Sequence, residues 1–493
     1  MWIALPLRDQ QHQAAMDSED ELAAAVELVS ANLPCSIELP AGAGKTHLIA
    51  AFSASMARKG RRTFVLTHTH AGVDAMRRRS RSFDIPAHAS TVRTIDGWCF
   101  DLVRHFPQLS HLDAPEEPEW GESKKYHAAA VLAIRTTAVR RMLLASYDVV
   151  VVDEYQDCLV DQHAVILALK EILPTLVLGD RLQGLFDFGA NVPVSWDADV
   201  VPNFPPLVMA PTPYRWQSTN PQLGQWLQSI RAPLLNGEAI AIADAPVAWQ
   251  QAYGPQARTT TCLAQANAGG SVVALGQFRP DCAKVAQGLN GSYGVMEELE
   301  AKELLKLADL VDSSDPPQVA SGVVQFAVNC ATGVADKFAS AARKRLAEGK
   351  AIAMPSKPEL SGQCEAVNRL LTDPSPQNVR AACLSLEQLA GFRPYCREAW
   401  REVLVALHQA ALDPALTVRA ALTRLRNHTR IVGRRLERRV VSRPLLVKGL
   451  EYDHAILLDA DRYTAPELYV ALTRGSASVT VISNSQTLNP VTH

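Results

Sequence analysis

The stretch Leu39-Pro40-Ala41-Gly42-Ala43-Gly44-Lys45-Thr46 has the residue types needed to hold a triphosphate. Small side chains at Ala41, Gly42, Ala43 and Gly44 let successive backbone N–H groups close around phosphate oxygens. Lys45 brings a point charge to the β- and γ-phosphates, and Thr46 a hydroxyl for Mg²⁺. A helix starting here adds its positive N-terminal dipole. The usual form of such a loop has Gly five positions before its second Gly; Leu39 stands there instead. The plainer account is a tight Ala/Gly turn in a core, and the apolar run before the loop and helical pattern after it weigh against that. Asp153-Glu154-Tyr155-Gln156-Asp157 follows the four valines Val149–Val152. An acid at the C-terminal end of a buried parallel strand stands where ligands bind in such sheets. Asp153 suits Mg²⁺, a hard cation that prefers carboxylate and phosphate oxygens. Glu154 then orients or deprotonates an attacking water.

Other short blocks share the chain with these two. In order they are Thr67-His68-Thr69-His70-Ala71, Thr94-Ile95-Asp96-Gly97-Trp98, Gly179-Asp180-Arg181-Leu182-Gln183-Gly184-Leu185-Phe186, Tyr214-Arg215, Lys448-Gly449-Leu450-Glu451-Tyr452-Asp453 and Tyr469-Val470-Ala471-Leu472-Thr473-Arg474. Together with the loop and the DEYQD block they resemble the motif series of superfamily 1 helicases of the UvrD/Rep group. KGLEYD and YVALTR are the most specific of them. The resemblance implies ATP and Mg²⁺ as cofactors and gives roles residue by residue. Gln183 senses the γ-phosphate. Arg215 and Arg474 are arginine fingers reaching from a second RecA-like domain, a role worth about 10³–10⁵ in rate. Tyr214 stacks on adenine, and Gly449 and Glu451 meet the γ-phosphate and ribose. Thr67, His68, Trp98, Phe186 and Phe188 face single-stranded DNA, with stacking as the general means of holding bases. An N-terminal glutamine reads adenine; Gln10, Gln11 and Gln13 compete for that place, with Gln11 taken as the candidate. The chain departs from the pattern at His47, where an adenine-packing Arg is usual, at Asp96 in place of His, at Gly189 in place of Arg, and at Pro444 and Leu445 in place of Thr and His. These departures touch nucleotide packing and DNA contacts, so they bear on unwinding more than on hydrolysis.

Positioning such residues needs strands that end together. Ser36–Leu39, Thr63–Thr67, Val149–Val152 and Thr175–Leu178 read as uninterrupted apolar or β-branched strands, the pattern of a parallel sheet covered on both faces. Ser271–Leu275, Ala455–Asp459 and Ser478–Ile482 read as strands of a second sheet. The predicted fold class is α/β: two RecA-like, doubly wound parallel-sheet domains with α-helical insertions. The expected division is 1–99 and 147–200 for the first domain, 100–146 for a short helical insertion, 201–311 and 441–493 for the second domain, and 312–440 for a larger helical insertion rich in Ala, Leu and Arg.

At 493 residues the chain exceeds a single core. With 49 Lys+Arg against 51 Asp+Glu it is no bulk polycation, so nucleic-acid binding must use local patches. The densest is Arg419 to Arg443, within which Arg434, Arg435, Arg438 and Arg439 are candidates for phosphate contacts; a solvated helical face is the bland alternative. Nine cysteines without a CxxC pair read as reduced thiols. No signal peptide and no run of about 20 apolar residues is read, so a cytoplasmic location without a membrane is expected. The functional expectation is an ATP-dependent DNA helicase or translocase on single-stranded or junction DNA. The rivals are a DNA-stimulated ATPase or sensor serving a partner nuclease, as in a phage-defence complex, and a non-catalytic assembly protein that keeps nucleotide as scaffold.

Overall fold

The structure, a computed structural model, describes residues 20–185, 192–252, 254–267, 269–296, 302–353, 360–432 and 437–492. The chain divides into two compact units, Met1–Asn236 and Gly237–His493. That division falls downstream of the expected domain junction at residue 200, and it leaves Tyr214 and Arg215 with the first unit.

The first unit is built on five strands: β1 (Cys35–Glu38), β2 (Thr63–Thr67), β3 (Ser90–Thr94), β4 (Val149–Val152) and β5 (Thr175–Gly179). They lie in the order β1-β5-β4-β2-β3, and every pairing is parallel. Side chains alternate across a strand, so β4 feeds two cores. Val149 and Val151 pack with Ile37, Leu48, Phe52 and Leu178 on one face. Val150 and Val152 pack with Phe64, Val165 and Val177 on the other. Each valine so buried contributes about 1.5–3 kcal/mol. This two-sided burial is the physical origin of the unbroken valine run.

The segment 100–146 adds the helices Ser123–Ile134 and Thr137–Ser146 to the second of these faces. Tyr126, Ala129, Ala133, Val139 and Leu143 join Phe100 and Val150 in one core. This insertion therefore thickens the first unit and has no separate core.

The second unit carries a six-stranded parallel sheet: β6 (Ala248–Gln251), β7 (Val272–Leu275), β8 (Gly294–Val295), β9 (Arg439–Ser442), β10 (Tyr452–Leu457) and β11 (Gly475–Ser483), in the order β6-β11-β10-β7-β9-β8. Between β8 and β9 the helices from Lys302–Ser313 to Val418–Val432 surround a core of their own. Its centre is Trp400, stacked on Phe326 at 5.6 Å and donating its indole N–H to Glu387 Oε1 at 2.6 Å. Both sheets with their flanking helices have the RecA-like α/β architecture. Among the described residues no helix is long and apolar enough to cross a membrane.

Candidate nucleotide site

Because all strands of the first sheet are parallel, the loops after β1, β5 and β4 leave the same edge side by side. Those loops are LPAGAGKT, GDRLQ and DEYQD. Sequence order scatters them over about 145 residues; strand order brings them together.

The loop after β1 turns through two glycines with positive φ, +67° at Gly42 and +82° at Gly44. Only glycine enters that region freely. Leu39 is not among the positive-φ residues, so the missing glycine there has no conformational cost. Leu39 is buried, and its N–H donates to Gly179 O at 3.0 Å. Lys45 opens the helix Lys45–Arg58 and is 8% exposed. Its Nζ donates to Leu39 O at 2.8 Å and to Pro40 O at 3.3 Å, both neutral acceptors. An ammonium held by carbonyls at the mouth of such a loop fits an anionic ligand. Thr46 follows it, half-buried. His47 packs edge-on against Phe83 at 4.8 Å, and burial with the nearby charge of Arg79 lowers its pKa.

A second segment of the same unit closes on this loop. Arg215 N–H donates to Gly42 O at 3.2 Å, and its guanidinium lies 5.3 Å from the Trp216 ring. Trp216 is fully buried. A Cβ built on Gly42 would lie 2.6 Å from that ring and 2.8 Å from Arg215 Cβ, so nothing larger than glycine fits. Tyr214 is 43% exposed, its ring 3.2 Å from where a Cβ on Gly44 would be. An aromatic face is thus presented at the loop. The expectation that Arg215 reaches in from a second domain is corrected here: it stands in the same unit as Lys45, backbone to backbone with the loop.

Asp153 and Glu154 sit at the end of β4. Asp153 N–H donates to Leu66 O, and Glu154 N–H to Asp153 Oδ1, each at 2.9 Å. Glu154 is itself in the left-handed region, φ 55°, a conformation uncommon for a residue with a Cβ and found often at functional turns. Gln156 Nε2 donates to Glu154 Oε2. Gln156 Oε1 accepts the Asp180 N–H at 2.9 Å, and Gln183 Nε2 donates to Asp180 Oδ2 at 2.7 Å. A continuous hydrogen-bonded path therefore joins Glu154 to Gln183. Gly179 makes room for it, since a Cβ there would lie 2.7 Å from Gln156 Oε1 and 2.5 Å from the Trp196 ring.

Residues 23–188 match the family model of an AAA domain. No curated protein matches the chain. The matched span contains β1 to β5 and hence each of the three loops just described. It ends before Tyr214–Trp216, so the segment that closes on the loop after β1 lies beyond the match. The match and the parallel sheet together support a P-loop nucleotide-binding fold over these residues.

Thr69 and Thr94, in the blocks after β2 and β3, act as helix N-caps. Thr69 Oγ1 accepts Gly72 N–H at 3.0 Å, and Thr94 Oγ1 accepts Gly97 N–H at 3.2 Å. Each cap contributes about 1 kcal/mol. Thr67 is buried at the end of β2, and His68 Nε2 lies 3.5 Å from Cys158 Sγ. Trp98, expected on the nucleic-acid side, is a core residue: it is 8% exposed and packs against Phe64 at 5.2 Å. Phe186, Phe188, Gln11, Arg434 and Arg435 lie outside the described residues.

Asp96 is committed internally as well. Its Oδ1 faces His127 Nε2 at 2.8 Å and accepts from Gln162 Nε2 at 2.7 Å, while His127 Nδ1 pairs with Asp161. With a carboxylate at each ring nitrogen, both nitrogens must donate, which makes His127 an imidazolium. Burial opposes that charge, but the hydrogen bonds and charges of Asp161 and Asp96 prevail and lift the pKa to about 9. A folded pKa above the unfolded value near 6.5 gives stability that is complete below that value and lost as pH rises through 9. His127→Ala should therefore cost about 3 kcal/mol near pH 6, read as a lower unfolding midpoint. The gap from wild type should narrow as pH rises through about 9, leaving only the packing lost with the buried ring; an equal gap at pH 6 and pH 10 would rule out the charged triad.

In the second unit Gly449 and Glu451 are exposed on the loop before β10. Arg474 is 1% exposed, with Nε on Val470 O and Nη1 on Leu450 O, both at 2.9 Å, so it braces that loop against the helix Ala465–Leu472. Much of the arginine run is engaged within the fold. Arg419 pairs with Asp309 at 2.5 Å, Arg426 with buried Glu402 at 2.5 Å, Arg438 Nε donates to Gly270 O at 2.9 Å and Arg439 Nη2 to Ala266 O at 2.6 Å. Arg438 and Arg439 still line an open cleft of about 270 Å³ with Ser292 and Arg397.

Gln156, Asp180, Trp216 and Arg231 were missed as site residues. Gln156 and Asp180 lie inside blocks already singled out, so the signal was there. Trp216 directly follows the Tyr214-Arg215 block, whereas Arg231 had no local signal.

Proposed function

We propose that the protein is an ATP-hydrolysing motor of the UvrD/Rep helicase type, acting on single-stranded or junction DNA. The observation that carries this reading is the convergence of Lys45, Glu154 and Gln183 on one sheet edge, with Glu154 and Gln183 joined through Gln156 and Asp180. Lys45 binds the phosphates, Tyr214 stacks on the base, and Glu154 takes the proton of the attacking water. Gln183, at the far end of the same path, reports whether the γ-phosphate is in place. Thr46 and Asp153 are the oxygen donors that would hold Mg²⁺, which when bound neutralises charge on the β- and γ-oxygens. Arg215 and Arg474 would stabilise charge on the transferring phosphoryl. Thr67, His68, Arg438 and Arg439 would contact the nucleic-acid backbone, with Arg434 and Arg435 beside the latter two in sequence, and Phe186 and Phe188 would stack on bases.

A second reading, an ATPase that senses DNA for a partner nuclease without unwinding it, is favoured by two observations. Asp96 is spent on His127, and Trp98 is buried, so two positions expected to touch DNA serve the fold. ATP turnover measured with and without a single-stranded oligonucleotide, alongside strand displacement from a tailed duplex, separates the two. Stimulated turnover with displacement is the expected result. Stimulation without displacement selects the sensor, and no ATP turnover in either condition defeats both.

A further inference from the structure

Arg231 belongs to no motif, yet its guanidinium spans the two acids at the heart of the nucleotide site. Nη1 lies 2.5 Å from Asp180 Oδ1, and Nη2 donates to Glu38 Oε1 at 2.6 Å. Asp180 is fully buried, and Arg231 is largely so. Glu38 is the last residue of β1, directly before the P-loop, and pairs in register with Gly179, which precedes Asp180. The two carboxylates thus stand at neighbouring strand ends. Arg181 also pairs with Glu38, Nε to Oε2 at 3.0 Å, but Arg231 is the cation that stands between the two acids, and a fully buried Asp180 left without it would be costly. The planar fork of arginine reaches both at once, which an ammonium does not.

We propose that Arg231 is a positioning residue for hydrolysis: by bridging Glu38 and Asp180 it sets the spacing between the strand that carries the P-loop and the strand that carries Gln183. This rests on the ATPase reading above and assigns a role that reading does not contain. Asp180 is the shared member of two chains of contact. One oxygen takes Arg231 and the other takes Gln183, while its N–H holds Gln156 and through it Glu154. A displaced Asp180 therefore misplaces base and sensor together. Arg231 also opens the short helix Arg231–Leu235, and the first unit ends at Asn236.

The test measures kcat for ATP and, separately, the affinity for a fluorescent ADP analogue. Arg231→Met should lower kcat by about 10²-fold, the scale of a displaced catalytic group, with nucleotide affinity little changed. Arg231→Lys should recover part of the loss, because one of the two carboxylates stays paired. Gln183→Ala combined with Arg231→Met should be no slower than the slower single variant, since both act through Asp180. A purely structural role would lower kcat and binding stoichiometry together, and that pattern overturns the proposal. So does wild-type kcat in Arg231→Met, or multiplicative losses in the double variant. If Arg231→Met does not fold, the split between kcat and affinity is read from Arg231→Lys. Absence of turnover in the wild type would instead defeat the ATPase reading itself.

Discussion

Glu154→Gln should bind ATP as the wild type does and hydrolyse it about 10³-fold more slowly, within the range that a positioned general base contributes. The substitution is nearly isosteric, and the amide oxygen can still accept from Gln156 Nε2, so the path to Asp180 and Gln183 survives. Glutamine tolerates the left-handed turn at this position, φ 55°, no worse than glutamate. What is lost is the carboxylate as proton acceptor. Binding should persist because the P-loop, Lys45 and Tyr214 are untouched. Mixing experiments with a fluorescent ATP analogue would show a full binding amplitude and a slow or absent chemical phase. Turnover within a few-fold of wild type would remove Glu154 from its role. Glu154→Ala makes a useful contrast: it also orphans Gln156 Nε2, so it should disturb the Gln183 end as well.

The first sheet was legible wherever burial on both faces forced continuous apolar runs, as at Thr63–Thr67 and Val149–Val152. It was illegible at β3, where Ser90-Thr91-Val92-Arg93-Thr94 sits at the sheet edge with one neighbour, β2, and can keep polar side chains half-exposed. β9 was hidden for a different reason: it lies between β7 and β8, but its four residues Arg439–Ser442 sit at the end of an arginine run. Lys45, Asp153 and Glu154 were legible because phosphate and magnesium chemistry fixes both residue type and local spacing. Arg231 was not, since it meets Glu38 across 193 residues of chain and nothing local marks it. His127 is a similar case, joined to Asp96 across 31 residues and to Asp161 across 34. Trp98 misled for the opposite reason: its neighbours in sequence matched a DNA-side block, while its own ring was needed to cover Phe64.

Lys45→Ala should reduce kcat/KM for ATP by about 10³-fold, the upper range for removing one preorganised donor from a site of developing charge. The lysine's own contacts make the effect specific to nucleotide. Its Nζ touches only the Leu39 and Pro40 carbonyls, at 2.8 and 3.3 Å, and no carboxylate among the described residues. Holding an ammonium there, buried and without a counter-charge, costs solvation free energy. Removing it should therefore leave the unfolding midpoint of the first unit unchanged or slightly higher. Most active-site losses that arise from misfolding move stability the other way, so the pair of measurements separates the two causes. Lys45→Arg should not restore activity: a planar guanidinium is too broad for a loop whose Gly42 already lies against Trp216 and Arg215. Turnover in Lys45→Ala within about tenfold of wild type would mean that backbone N–H groups and the helix terminus hold the phosphates alone, and the assignment of the loop as a lysine-dependent phosphate site would fall.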